Sequence, residues 1–399
     1  MSDKESKILT VVQMNPRRRF LTAKAIADLG MLKSMHIHAS AIGRERRLQR
    51  FLSPKITAVG VKKDLENNFQ LTGDFDLHLY DSFTSSVLNK VRGKFLPSDA
   101  YAYNREIVKS FCLAANKNIA KSEDVYAFSG CALELFRERS GVKILDQVAL
   151  LPLDEVALLE SDKRADPVWV RHMNYLHLRN LEELDRADIV LCLYNQIQDS
   201  VLKYRPEIRT AIVNHPCALP RAKTFESRPR LRFLFAGTKS VGKGVNLIEN
   251  WLLHSSYAER VEVLICGGDG NYPLTRLKHR PNVKLLPHLK KRDLESLYAS
   301  VDICLFPEQQ NALGNTAFEA MEFGTPVLAR VNEFIDHNHN GFVFETNADF
   351  FQKMDEISQL DSAQLFRVGR AALKIAENRY LNFKKELKAA INSSKTSGA

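Results

Sequence analysis

Between Pro307 and Phe344 the chain reads PEQQNALGNTAFEAMEFGTPVLARVNEFIDHNHNGFVF, and several of its polar residues recur at helical spacing. The apolar run VDICLF (301–306) ends in a polar loop; Gly314, Asn315 and Thr316 then open a helix that Gly324 stops after Phe323. First-turn amides of a helix have no intrahelical acceptor, and they stabilise an adjacent anion by about 0.3–1 kcal/mol. At the carboxyl end of a strand a diphosphate suits that position. Asn311, Asn315 and Glu319 fall four apart. In a helix that begins early enough they share one face, with Glu319 about one turn deeper than the anion. A carboxylate there can accept both hydroxyls of a ribose, at about 1.5–3 kcal/mol per charge-assisted hydrogen bond. An ordinary capped amphipathic helix is the other reading of the same string.

Two glycine-bearing loops close apolar runs upstream, LFAGTKSVGKG (234–244) and ICGGDGN (265–271). A lysine in a glycine loop is more often solvated than functional, and a glycine-rich turn is mostly a turn. Neither loop has the G-x-G-x-x-G spacing nor follows the first strand of the chain, which argues against a nicotinamide dinucleotide. No carboxylate pair of the glycosidase type is evident. His288 lacks the partner spacing of a metal ligand. The six cysteines form no C-x-x-C pair, and several lie in apolar runs such as VLICGG and DICLF, so they read as buried thiols of a reducing cytoplasm.

The elements that must position these residues are short β-rich runs alternating with helical patterns, the rhythm of parallel α/β units. Strands are expected at 8–14, 75–80, 124–128, 142–147, 188–193 and 210–215, then again at 231–237, 261–268, 282–287, 301–306 and 325–330. With 399 residues, two Rossmann-like sheets are the natural assembly. The aperiodic stretch HPCALPRAKTFESRPR (215–230) is expected to link them. Ala23, Ile26, Ala27 and Gly30 give an early helix an apolar face. His78, inside a strand pattern, reads as a satisfied core residue. No h-region of a signal peptide and no apolar run long enough to span a bilayer is found.

Charge is unevenly placed. Of the net +10, residues 1–65 carry +9, from fourteen Lys or Arg against five Asp or Glu. Arg17, Arg18 and Arg19 follow the first strand, and Arg44, Arg46, Arg47, Arg50, Lys62 and Lys63 add to the excess. Such a region attracts phosphorylated glycolipids, anionic headgroups or nucleic acid, or is a solvated basic face. The absence of aromatic residues interleaved in glycine-rich segments argues against nucleic acid.

On Glu319-Ala320-Met321, Gly324, Pro326-Val327 and the later Asn340-Gly341, the chain resembles the retaining GT-B glycosyltransferases of family 4, whose hallmark is Glu-x7-Glu, Ala-Met and Gly-x-Pro-Val. The likeness extends over nearly the whole chain and is most specific in residues 231–344. It departs where the family's first glutamate, which contacts the donor sugar's hydroxyls, is Asn311. Asparagine still donates and accepts hydrogen bonds.

The resemblance implies an α/β GT-B fold of two Rossmann-like domains facing across a cleft, with a C-terminal helix returning to the first. The corresponding boundaries are 1–217 for acceptor binding, 218–375 for the nucleotide sugar, 376–392 for the helix, and a disordered tail at 393–399. It further implies that Lys243 meets the diphosphate, with Lys239 as substitute and Gly237 and Thr238 in the same loop. Gly267 and Gly268 lie beside the nucleotide, His288 and Leu289 cup the base, and Gly314, Asn315 and Thr316 hold the phosphates. Catalysis then rests on Lys243, Asn311 and Glu319, needs neither cofactor nor metal, and moves a sugar from a nucleotide-diphosphate sugar onto a glycan or glycolipid. Surface polysaccharide or lipopolysaccharide assembly is the expected setting, in the cytoplasm or peripherally on the inner face of the membrane. A sugar-nucleotide epimerase or phosphorylase, or a donor-binding scaffold, is the alternative on the same frame.

Overall fold

The structure, a computed structural model, describes residues 8–14, 20–38, 61–63, 65–66, 71–80, 102–160, 167–270, 272–308 and 314–394. Asn311, the Arg17 to Arg19 triplet, the Arg44 to Arg50 cluster, and Asp81-Ser82 lie outside them. The chain forms two compact units, Met1–Pro216 with Phe383–Ala399, and Cys217–Asn382.

In the first unit seven strands, β1 Leu9–Gln13, β2 Leu32–His38, β3 Asp76–Tyr80, β4 Asp124–Phe128, β5 Lys143–Gln147, β6 Ile189–Cys192 and β7 Thr210–Ile212, form one parallel sheet. Their order, β3-β2-β1-β4-β5-β6-β7, reverses between β1 and β4. Such a reversal opens a crevice at the carboxyl ends of the two central strands, where doubly wound sheets bind ligands. Helices cover both faces of such a sheet, so β1, LTVVQ, is buried along its whole length.

Strand β2, LKSMHIH, was not among the expected strands because its polar residues break the apolar pattern, yet Ser34, His36 and His38 are all buried. The strand tolerates them because they are bonded sideways. Thr10 Oγ1 lies 2.9 Å from Ser34 Oγ, Ser34 Oγ 3.3 Å from His36 Nε2, and His36 Nδ1 2.7 Å from the Tyr80 hydroxyl. His78 is half-buried and stacks on His36 at 4.3 Å. Burial pushes the His36 imidazole down to about 3, so it stays neutral in this network.

Beyond β4 the turn at Gly130–Leu133 is tied by one carboxylate. Glu183, from the helix Pro167–Leu184, is fully buried and accepts the backbone N–H groups of Gly130, Ala132 and Leu133 at 2.7, 3.0 and 3.1 Å. Beside it the buried Arg179 guanidinium meets Glu134, with Nη1–Oε1 at 2.8 Å. Satisfied amides and a paired guanidinium make burial of both charges tolerable.

In the second unit six parallel strands, β8 Leu231–Ala236, β9 Val261–Cys266, β10 Val283–Leu286, β11 Ile303–Phe306, β12 Val327–Arg330 and β13 Phe342–Phe344, run in the order β10-β9-β8-β11-β12-β13. The reversal falls between β8 and β11. Alternate residues serve the two faces, as the pleat requires. Phe233, Phe235, Val263, Ile265, Ile303 and Leu305 pack with Trp251 on one side, and Leu234, Leu264, Cys304, Phe306 and Ala329 with Tyr298 and Met321 on the other. All six cysteines are buried, and no disulfide joins them.

The stretch at 217–230 is not a loose connector, because its backbone bonds to the second unit where the helix Asn315–Met321 ends. Ala218 N–H donates to Glu322 Oε1 at 2.6 Å, Arg221 N–H to the Glu322 carbonyl at 2.7 Å, and Lys223 N–H to the Phe323 carbonyl at 3.1 Å. The Lys223 ammonium donates to the Val301 carbonyl and to Thr325 Oγ1. Burial pushes this amine down to about 8 from its ordinary 10.5. The folded state therefore holds that proton less tightly than the unfolded chain, and the penalty lifts as pH rises from about 8 towards 10.5. Denaturant melts across that window should show the parent gaining stability relative to Lys223→Met. A difference that stays flat would contradict the burial of a charged amine.

One continuous helix, Ser362–Ser393, follows. Its Leu365, Ala372 and Ala376 are in the cores of the second unit, whereas Phe383, Leu387, Ala390 and Ile391 are in the core of the first. The expected boundary at 375/376 thus falls inside a helix, because the apolar face does not break there.

Candidate functional site

Of the residues singled out from the second half, those in the loops after β8, β9 and β11 lie at the carboxyl ends of these strands, beside the reversal in strand order. Backbone hydrogen bonds fasten the first two loops together. Gly237 N–H donates to the Cys266 carbonyl at 3.0 Å, Lys239 N–H to the Gly268 carbonyl at 3.1 Å, and Tyr272 N–H to the Lys239 carbonyl at 3.1 Å. Gly267 has φ +140°, and a Cβ there would lie 1.9 Å from the Gly237 carbonyl oxygen. Only glycine permits both the backbone angle and the approach.

The loop after β8 also reaches across the switch point. Gly244, φ +73°, sits so close to β11 that a Cβ would meet the Pro307 carbonyl oxygen at 1.9 Å. That approach sets Lys243, on the turn Val241–Lys243, against the residue following Pro307. Lys243 Nζ and Glu308 Oε2 are 2.8 Å apart, with the lysine side chain 45% exposed and the carboxylate 15%. The other oxygen, Glu308 Oε1, would lie 3.6 Å from a Cβ on Gly314, the residue that precedes the helix Asn315–Met321. Lys239 Nζ pairs more openly with Asp269, at 3.2 Å.

Thus Gly237, Thr238, Lys239, Gly267 and Gly268 form one laced pair of loops, and Lys243, Glu308 and Gly314 form a second group beside it. Asn315 is exposed and Thr316 half-buried at the first turn. Glu319, one turn further in, is 9% exposed, and its Oε2 accepts from the fully buried Tyr298 hydroxyl at 3.3 Å. His288 and Leu289 follow β10, one strand outward from β9; His288 is exposed and Leu289 packs against the Tyr298 side of the core. Asn311 is outside the described residues.

Glu308 and Arg330 were given no role in the sequence reading. Arg330 closes β12 and donates to three acceptors in two segments: Nε to the Glu308 carbonyl at 2.9 Å, Nη1 to the Glu345 carbonyl at 2.6 Å, and Nη2 to Asn347 Oδ1 at 3.1 Å. A guanidinium is suited to such forked anchoring. The available signal was a charged residue at the carboxyl end of an otherwise apolar strand, VLAR.

Two lysines near a helix terminus at a sheet's carboxyl edge can take up an anion in place of their present counter-charges, Asp269 and Glu308. No group of three or more His, Cys, Asp or Glu able to hold a metal occurs among the described residues.

Residues 230–359 match the family model for glycosyl transferases group 1. A D-inositol 3-phosphate glycosyltransferase from Salinispora arenicola is 33% identical over 82 residues, 18% of each chain, so the match spans under a fifth of that relative. Among solved structures, Anabaena HepE in complex with UDP and glucose superposes with a TM-score of 0.66 at 15% identity, over 96% of this chain and 99% of that one. Sucrose-phosphate synthase from Thermosynechococcus elongatus gives 0.61 at 12% identity, over 98% and 99%. TarM from S. aureus, in complex with UDP among other ligands, gives 0.56 at 15%, over 71% of this chain and 58% of its own. At such identities the likeness is one of fold. The chain has the GT-B fold, and within its second unit residues 230–359 are similar to the glycosyl transferases group 1 family.

Proposed function

We propose that this chain transfers a sugar from a nucleotide-diphosphate donor to a hydroxyl of a glycan or glycolipid, with retention at the anomeric carbon. The observation that carries the proposal is the pair of lysines held by the loop after β8, Lys239 against Asp269 and Lys243 against Glu308, the latter beside the residue that opens the helix Asn315–Met321. The family match over 230–359 and the fold shared with a UDP-bound and glucose-bound protein support it.

In this reading the diphosphate displaces Glu308 from Lys243, and the ribose hydroxyls bond to Glu319. The bond between the anomeric carbon and the phosphate oxygen breaks, and its electron pair leaves with the diphosphate. The sugar passes through an oxocarbenium-like state, the acceptor oxygen bonds to the same face, and its proton goes to a donor phosphate oxygen. Lys243 and the helix amides lower the barrier by meeting charge where it grows, so neither a protein nucleophile nor a divalent cation is needed. Surface polysaccharide or lipopolysaccharide assembly at the inner face of a membrane is the setting that a basic N-terminal region and a lipid-linked acceptor suit.

A panel of nucleotide sugars tests the donor half. A ligand that binds only the folded protein at 100 times its Kd adds about 2.7 kcal/mol of stability, so the right donor should raise Tm clearly above the panel's background. The matched donor should then yield a new glycoside with an acceptor. Stabilisation without product would favour a donor-binding scaffold, an isomerised donor would favour the epimerase, and no stabilisation by any donor would overturn the reading.

A further inference from the structure

Two helices of the first unit, Ala102–Asn116 and Pro167–Leu184, turn large apolar side chains to water. Leu178 is 68% exposed, Leu113 44% and Tyr175 40%, and these are the exposed large apolar residues of that unit among those described. Both helices pack against the short helix Leu133–Phe136, and they meet at one side-chain contact. The Arg105 guanidinium rests 4.8 Å over the Tyr175 ring, and further along Cys112 Sγ and Arg179 Nε donate to the adjacent carbonyls of Cys131 and Gly130 at 3.2 and 3.1 Å. Arg105, Lys109, Leu113 and Lys117 recur every fourth residue on one helix and its end; Arg171, Tyr175 and Leu178 follow helical spacing on the other.

The composition of this face decides what it meets. Lys109, Lys117 and Arg171 are exposed and have no carboxylate partner among the described residues, and Glu106 is the acidic residue that accompanies them on the first helix. A protein interface gathers its apolar residues at the centre and excludes lysine from it. Here cations alternate with leucine or tyrosine along each helix. That mixture fits a bilayer's headgroup layer: leucines enter the acyl boundary, tyrosine lies at the interface, and lysine and arginine stems reach back to lipid phosphates.

We infer that this face docks the chain on an anionic lipid surface. The inference extends the reading of a lipid-linked acceptor by naming the surface that meets its membrane, and vesicle binding needs no turnover, so the two fail separately. The full chain should sediment with vesicles of mixed phosphatidylglycerol and phosphatidylcholine and not with phosphatidylcholine alone, and added salt should weaken the binding. Leu178→Glu and Lys109→Glu each change an exposed side chain, so Tm should hold while vesicle affinity falls at least tenfold in the double variant. Equal binding to neutral vesicles, or undiminished binding by the double variant, would overturn the inference. So would concentration-dependent self-association of the parent that Leu178→Glu abolishes, which would assign the face to a second copy of the chain.

Discussion

Gly267→Ala is expected to abolish donor binding while Gly268→Ala, one residue away, leaves it nearly intact. The difference follows from backbone geometry alone. At 267 the new methyl would lie 1.9 Å from the Gly237 carbonyl oxygen, in a backbone conformation with φ +140° that L side chains rarely adopt. At 268 a Cβ meets nothing within 4 Å, and φ is not in the left-handed region. To relieve the first clash the loop after β8 must move away from the loop after β9 by more than an ångström, which breaks the hydrogen bond from Lys239 N–H to Gly268 at 3.1 Å. A shift of about 1 Å in positioning groups can cost on the order of 10²-fold in rate, and forcing a side chain into a glycine-only conformation costs about 1–3 kcal/mol of stability. Donor affinity by calorimetry and Tm of the two variants, measured together, check this. Parental affinity and Tm in Gly267→Ala would show that the two loops are not locked.

That pair of glycines also marks how far sequence reading reached. The glycines, the lysines after β8 and the Glu319 motif were legible because loops at strand ends draw on few residue types, and the family string is dense there. The five strands expected in the second half are all present, since each is a short, largely apolar run with one charged residue. Strand β2 escaped because LKSMHIH satisfies its polar atoms through neighbours 24 and 44 residues away, Thr10 and Tyr80, and a local pattern carries no trace of such partners. Strand β13, three residues long, was read only as the end of an Asn-Gly turn. Glu308 stands in the string PEQQN with no local pattern to mark it, because what gives it meaning is an ion pair with a residue 65 positions earlier. Arg330 was missed for the same reason, its three acceptors being carbonyls and an amide rather than a recognisable motif.

The ion pair sets up an exchange that the remaining pair of substitutions should expose from opposite sides. Lys243 is half-exposed and already neutralised by Glu308 at 2.8 Å, so an incoming diphosphate competes with a carboxylate for the same ammonium. Diphosphate carries more charge than one carboxylate and gains further charge as the sugar leaves, so the exchange grows more favourable towards the transition state. Lys243→Ala should therefore lower kcat/KM by about 10²–10³-fold, the range for loss of one preorganised donor to a developing anion, with much of the loss in kcat. Glu308→Gln keeps the size and the hydrogen-bonding reach but removes the competing charge, so donor Kd should fall, by up to about tenfold for a partly exposed pair. If Glu308 did no more than hold the loop, Glu308→Gln would leave Kd unchanged or weaken it. In the double variant the gain from Glu308→Gln should vanish, because the cation it releases is gone, and this non-additivity is the signature of an exchange at one ammonium. Simple addition of the two effects would place the diphosphate elsewhere.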